Sequence, residues 1–202
     1  MRYVLLFFGL LAGLSLLSQN VEKSYQHHDI LIGYGAFPID QFLSVESNML
    51  NSSLPDKRYV RDHYSGSGVI TLTYRRISRS GFFMWGVTAG YNQSSASVYH
   101  VGQLVGELDR NFITVAVELE YRYVNSGIVQ VYSGAGLGYQ FGNEKLKPTV
   151  ESGLSEVSGS INRLAYQANV IGVRIGKTFG GFAELGFGYK GIVNVGLSVQ
   201  LY

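Results

Sequence analysis

The sequence contains no cysteine, and it has only three prolines and one tryptophan. Without thiols there is no disulfide framework, and a lipoprotein is excluded because its anchor needs an acylated cysteine. The scarcity of proline leaves long strand ladders free to form without missing donors. Charge of one sign is also lacking: 16 Lys and Arg stand against 14 Asp and Glu, so no bulk charge points to nucleic acid as a partner. Long apolar runs are absent apart from one, Val4 to Leu17. That run is short for a membrane-crossing helix. With Arg2 before it and the small Ser18 just ahead of Gln19, residues 1–18 read as a cleaved secretory signal. Residues 19–202 then form one domain by length, with 15 basic and 14 acidic residues once Arg2 is removed. Glycine (26) and tyrosine (15) are what the chain has in excess. Tyrosine in such numbers suits a protein with two lipid–water interfaces.

The clearest pattern runs from Asn111 to Phe141. Ile113, Val115, Val117, Leu119, Tyr121 and Tyr123 alternate with Thr114, Ala116, Glu118, Glu120 and Arg122. Successive side chains of a strand point to opposite faces, so this is a strand with one apolar and one polar side. After an Asn125-Ser126-Gly127 turn, Val129, Val131, Ala135, Leu137, Tyr139 and Phe141 share a face opposite Gln130, Tyr132, Gly134, Gly136, Gly138 and Gln140.

The same alternation recurs along the chain. It predicts strands over 29–37, 68–77 and 82–92, the 111–141 hairpin as strands four and five, and strands over 163–177, 181–190 and 192–201. A one-residue change of phase in the sixth predicts a bulge near Val170–Ile171. Three stretches do not alternate in this way and read as long loops: 38–67, the seventeen or so residues before Asn111, and 142–162. In the first, Ile39, Phe42, Leu43, Met49 and Leu50 recur at helical spacing, which predicts a short amphipathic helix from about Ile39 to Leu50. Eight strands of about ten residues match the length needed to cross a bilayer at a tilt. The connections alternate long and short, except for the short last hairpin. With the N-terminus periplasmic, the long ones all fall outside.

A soluble eight-stranded barrel would bury its apolar row and solvate its polar one, so the charges must decide the phase. With the polar row inward, Asp29, Glu118, Glu120 and Glu184 face Arg75, Arg122, Arg174 and Lys190, four against four. Glycines such as Gly33, Gly86, Gly134, Gly136, Gly138 and Gly186 share that row, and small residues are what a narrow interior has room for beside long charged ones. The outward rows carry almost no charge, as expected where a Lys or Arg at the lipid midplane costs about 2–4 kcal/mol. An interior ion-pair network of Arg75, Glu118, Glu120, Arg122, Arg174 and Glu184 is therefore expected, with a structural role.

The signal, the eight alternating strands, the short turns and the aromatic terminal residue resemble small outer-membrane barrels of the OmpA/OmpX type. The end of the chain, Gly180-Gly-Phe-Ala-Glu-Leu-Gly-Phe-Gly-Tyr-Lys-Gly-Ile-Val-Asn-Val-Gly-Leu-Ser-Val-Gln-Leu-Tyr202, is similar to the closing hairpin of the outer-membrane β-barrel domain common in Bacteroidetes. The resemblance implies an all-β, eight-stranded antiparallel up-and-down transmembrane barrel located in the cell outer membrane. It implies that Tyr202 belongs to a terminal signal read by the barrel-insertion machinery; Ser198 and Gln200, on the same face, depart from the apolar pattern of that signal.

Catalytic chemistry finds little support. Asp62, His63 and Ser65, and Ser94, Ser95 and His100, fall in expected loops without the spacing of a nucleophile, a base and an orienting group. The adjacent His27 and His28 are too little to specify a metal site. Gly134, Gly136 and Gly138 repeat with strand period and open no helix, so they form no phosphate loop. The expectation is a non-enzymatic outer-membrane barrel without cofactor or metal, with a structural or surface-interaction role carried by its outside loops. The alternative is a pore for small or hydrophobic molecules, and a less favoured one is an enzyme that modifies lipid A. Outer-membrane lipid and lipopolysaccharide surround it, and Phe42, Leu43, Met49 and Leu50 belong either to a helix that caps the barrel mouth or to a contact site for a protein, glycan or host surface.

Overall fold

The computed structural model describes residues 28–39, 59–149 and 156–201, with the side chains of 59–64 left aside. The expected signal (1–18), the loop contact residues Phe42, Leu43, Met49 and Leu50, most of the expected helix, and Tyr202 lie outside the described residues.

Eight strands follow one another: β1 (His28–Ala36), β2 (Tyr59–Ile77), β3 (Phe83–His100), β4 (Gln103–Asn125), β5 (Val129–Pro148), β6 (Val157–Gly176), β7 (Phe179–Gly188) and β8 (Val193–Leu201). Each pairs antiparallel with its neighbour in sequence, and β8 returns to β1, with Ile32 opposite Leu197, so the barrel is closed. Closure is the one arrangement that leaves a sheet without edges.

The phase follows the sequence alternation. Along β4, Thr114, Ala116, Glu118, Glu120 and Arg122 are buried in the lumen, while Ile113, Val115, Val117, Leu119 and Tyr121 are exposed on the outside. The expected bulge is present: the β6–β7 register slips between Asn169 and Ile171, which puts both Val170 and Ile171 outside and returns Arg174 to the lumen. Bulges of this kind re-aim side chains at a fixed point in a strand.

Two long loops of the sequence reading are instead strands. β3 and β4 continue past the ring to a two-residue turn at Val101–Gly102, and β5 and β6 extend through much of 142–162. β2 likewise begins at Tyr59 rather than Gly68. The tight turn takes φ 51° at Val101 and φ 80° at Gly102, the pair of positive values that matches the twist of a two-residue hairpin. β1, β7 and β8 stop at the rim, so β2–β6 rise beyond it as a five-stranded wall.

Polarity reverses along these strands. In the ring the outside is apolar and the lumen polar. In the wall Asn111, Asn143, Lys145, Lys147 and Ser160 face outward, while Val98, Leu108 and Leu146 form a buried apolar cluster on the inner side. The strand period continues, but above the buried Arg110–Glu144 pair its sense is inverted.

Candidate functional site

The centre of the lumen holds a charge cluster whose geometry follows from register. Arg75 on β2 is opposite Gly86, which is opposite Glu118, which is opposite Gly136. One row along, Glu120 is opposite Gly134, and Glu184 on β7 has Gly172 and Asn194 as its neighbours. Long charged residues thus alternate with glycine across the sheet, which gives each side chain the space of its missing neighbour in a narrow barrel. A Cβ at Gly136 would sit 3.1 Å from both Glu118 Cγ and Tyr189 Oη, so that space is already taken.

Arg75 reaches three carboxylates from one side. Its Nη2 donates to Glu184 Oε1 at 2.5 Å, lies 2.8 Å from Glu120 Oε1 and 4.0 Å from Glu118 Oε2. Lys190, just after β7, places Nζ 2.8 Å from Glu118 Oε2 and 3.5 Å from Glu184 Oε2. Tyr132 Oη donates to Glu184 Oε1 at 2.9 Å, Tyr189 Oη donates to Glu118 Oε1, and Asn194 Nδ2 donates to Glu184 Oε2 at 2.9 Å. The Arg75 guanidinium also lies over the Tyr132 ring, 5.0 Å from its centre.

Every group here is buried, so water does not screen the charges. Such a cluster persists only because each ion is paired and hydrogen-bonded; removing one partner leaves a bare charge in a medium that penalises it. Among the described residues Glu120 Oε2 and Arg75 Nε make no hydrogen bond.

Of the six residues expected in the network, the structure brings Arg75, Glu118, Glu120 and Glu184 together and places the other two below them. Arg122 Nη2 contacts Met84 Sδ at 3.0 Å. Arg174 closes the β6–β7 turn, donating to Ser198 Oγ at 2.5 Å and to the carbonyls of Gly176 and Lys177 at 2.7 and 2.8 Å. Among the described residues neither pairs with the three central carboxylates. Sequence reasoning put Lys190 in the inward row but not in the network, and it did not single out Tyr132 and Tyr189. Tyr132 and Lys190 share the inward phase, but Tyr189 falls in the outward row of the alternation with Leu185 and Phe187. The structure corrects this, because β7 ends at Gly188 (φ 146°) and the chain turns Tyr189 into the lumen.

Further layers fill the lumen above and below. Toward the wall, Arg110 Nε pairs with Glu144 Oε2 at 2.6 Å, and Arg163 donates to Gln140 at 2.8 Å while lying 4.8 Å over the Phe112 ring. Near the opposite end, Gln200 joins Gln130 at 3.0 Å and Asp29 at 3.2 Å.

The residues weighed for catalysis are dispersed. Ser65 is opposite Ser95, and with Ser94 they line an open groove of about 420 Å³ on the wall, next to Asp109 and Arg110. His100 sits at the β3–β4 tip, outside that groove. The side chains of Asp62 and His63, and all of His27, lie outside the described residues. His28 Nδ1 is 2.7 Å from Tyr74 Oη, and the rings stack at 5.9 Å. Among the described residues no group of three or more His, Asp or Glu is arranged to hold a metal.

Compared with known proteins, the chain matches no family model, no curated protein and no solved structure.

Proposed function

We propose that this chain is an integral outer-membrane β-barrel of the small OmpA/OmpX kind, with a non-catalytic, structural and surface-interacting role carried by its wall. The observation that supports it is the inversion between faces: ions inside the ring, an uncharged apolar belt outside. Exposed Ile30, Leu72, Val87, Val117, Leu137 and Leu197 come from six different strands, so the belt encircles the ring. Soluble proteins rarely expose apolar patches beyond a few hundred Å². On β4 the belt runs from Ile113 to Tyr121, about 27 Å along the strand at about 3.4 Å per residue. A tilt of about 40° makes that about 20 Å of height, comparable to the apolar band of outer-membrane barrels. Aromatic residues mark its margins, Tyr34, Tyr91 and Phe141 at one and Tyr74, Phe83 and Tyr121 at the other, where amphipathic rings favour a lipid–water boundary.

The wall supplies the interaction surface. Among the described residues no strand pairs with one flank of β2 beyond Val69, and on β6 the ladder ends where Tyr189 N–H donates to the Tyr166 carbonyl. Such flanks expose backbone donors and acceptors that can add a strand from another chain. The neutral pairing of the lumen favours this reading over diffusion through it.

Fractionation of outer membranes after a urea wash, followed by gel mobility with and without boiling, tests the placement. Retention with the membrane and a heat-dependent shift support it; release as a soluble protein overturns it. Replacing 94–109 by a tight turn should keep the heat shift and abolish cross-linking to any partner on intact cells.

A further inference from the structure

The outward face of the wall carries an ordered polar row, anchored at one end where Gln93 Nε2 donates to Tyr91 Oη at 2.5 Å. Gln93, Asn111, Asn143 and Ser160 are direct cross-strand partners on β3, β4, β5 and β6, so their side chains form one continuous line of amides and a hydroxyl. Immediately beneath it, toward the belt, lies the row Tyr91, Ile113 and Phe141, which ends on β6 in Asn162, one step above the exposed Leu164. Immediately above it, Ser95, Asp109, Lys145 and Ser158 are again partners in register. Two grooves open on this surface, one of about 690 Å³ and one of about 420 Å³, and both are lined by Asp109 and Asn111. They form a single shelf to either side of β4.

From this we infer that the shelf binds the sugar head group of an outer-leaflet glycolipid whose acyl chains lie on the apolar belt below. The inference rests on the membrane placement proposed above. Three features select the occupant. The switch from apolar to hydrogen-bonding side chains takes one step along each strand, so the ligand must join chains to a polar head. The shelf also extends from Asn143 to Lys147, about 14 Å along the strand and about 10 Å in height at a tilt of about 40°. The head-group layer of an ordinary phospholipid is only about 5–8 Å deep on each side, so a head of at least two sugar rings is needed to reach its top.

The third feature is charge. Lys147 pairs with Asp109 at 2.6 Å and Lys145 with Glu156 at 2.7 Å, so each lysine is already neutralised by its own acid. The shelf therefore offers donors and acceptors rather than a cationic field, which suits hydroxyl groups. The exposed pairs are weak and can open to a hydroxyl at little cost.

The test uses the full barrel folded in zwitterionic micelles, with backbone amide resonances followed as lipid is added. Digalactosyl diacylglycerol, a neutral two-sugar lipid, should give saturable shifts confined to residues near Asn111, Asn143–Lys147 and Ser158–Ser160. Phosphatidylglycerol at equal concentration should give none there, and a soluble disaccharide without chains should not saturate. Asn111→Ala combined with Asn143→Ala should weaken the response about tenfold, the loss of two hydrogen bonds, with other resonances unmoved. Equal shifts with phosphatidylglycerol, or shifts only with a phosphorylated glycolipid, would mean that charge governs binding and would overturn the inference. Absence of any shift would overturn it too. Failure to integrate into lipid vesicles at all would instead strike the membrane placement, so the two failures are distinguishable.

Discussion

Arg75 and Glu184 meet across the lumen at 2.5 Å from strands that are not neighbours, β2 and β7. The same nitrogen lies 2.8 Å from Glu120, so a single guanidinium holds two carboxylates that would otherwise repel each other. Neither carboxylate has bulk water to turn to.

Arg75→Ala should therefore cost about 3–5 kcal/mol, the range for leaving a buried ion without its partner. Urea titration of the barrel in lipid vesicles, followed by gel mobility, measures it. A loss below 1 kcal/mol would mean that water reaches the cluster.

Charge on the outer face should be costly by depth. Val117→Arg, at the middle of the belt, is expected to destabilise the barrel in vesicles by about 2–4 kcal/mol. Asn143→Arg, above the belt, should cost at most about 1 kcal/mol in the same assay. Equal effects would remove depth as the cause.

Trp85 is the one tryptophan of the chain and stands on the outer face near the Phe83–Tyr121 margin. Its emission should shift to the blue on folding into vesicles. Bromines carried near the glycerol backbone of the lipid should quench it more than bromines at the chain ends, because its amphipathic ring belongs at the boundary. Stronger quenching from the chain ends would move that margin into the membrane.

The lumen should not conduct. Arg75, Tyr132, Tyr189 and Lys190 are fully buried at one level, and an eight-stranded barrel has an interior that side chains fill. Planar-bilayer recordings are expected to show no steady ohmic steps. Regular steps from the wild-type chain would favour the pore.

The ring was legible in the sequence because its two rows differ so sharply. A row such as Ile113-Val115-Val117-Leu119 against Thr114-Ala116-Glu118-Glu120 fixes both the strand and its inside. The wall was not legible, for two physical reasons. Its alternation is inverted and diluted by small polar residues, as in Ser95-Ala96-Ser97-Val98, which reads as loop. Its hairpin also turns at Val101-Gly102, where a β-branched residue takes a positive φ that asparagine or glycine usually supplies, so the turn carries no ordinary signal. In the lumen, phase alone placed Arg75, Glu118, Glu120 and Glu184 inside. That Arg122 and Arg174 turn to Met84 and to the β6–β7 carbonyls depends on strand stagger, which one sequence does not reveal.

The absence of cysteine makes the most direct test simple. Val117 and Lys147 are both geometrically exposed, one on the belt and one on the wall. Val117→Cys and Lys147→Cys should behave differently toward a membrane-impermeant maleimide applied to intact outer membranes. The account predicts that Lys147→Cys labels fully and Val117→Cys only after the barrel is unfolded by heat. Equal labelling of both in the native state would contradict it, because the apolar face would then meet water.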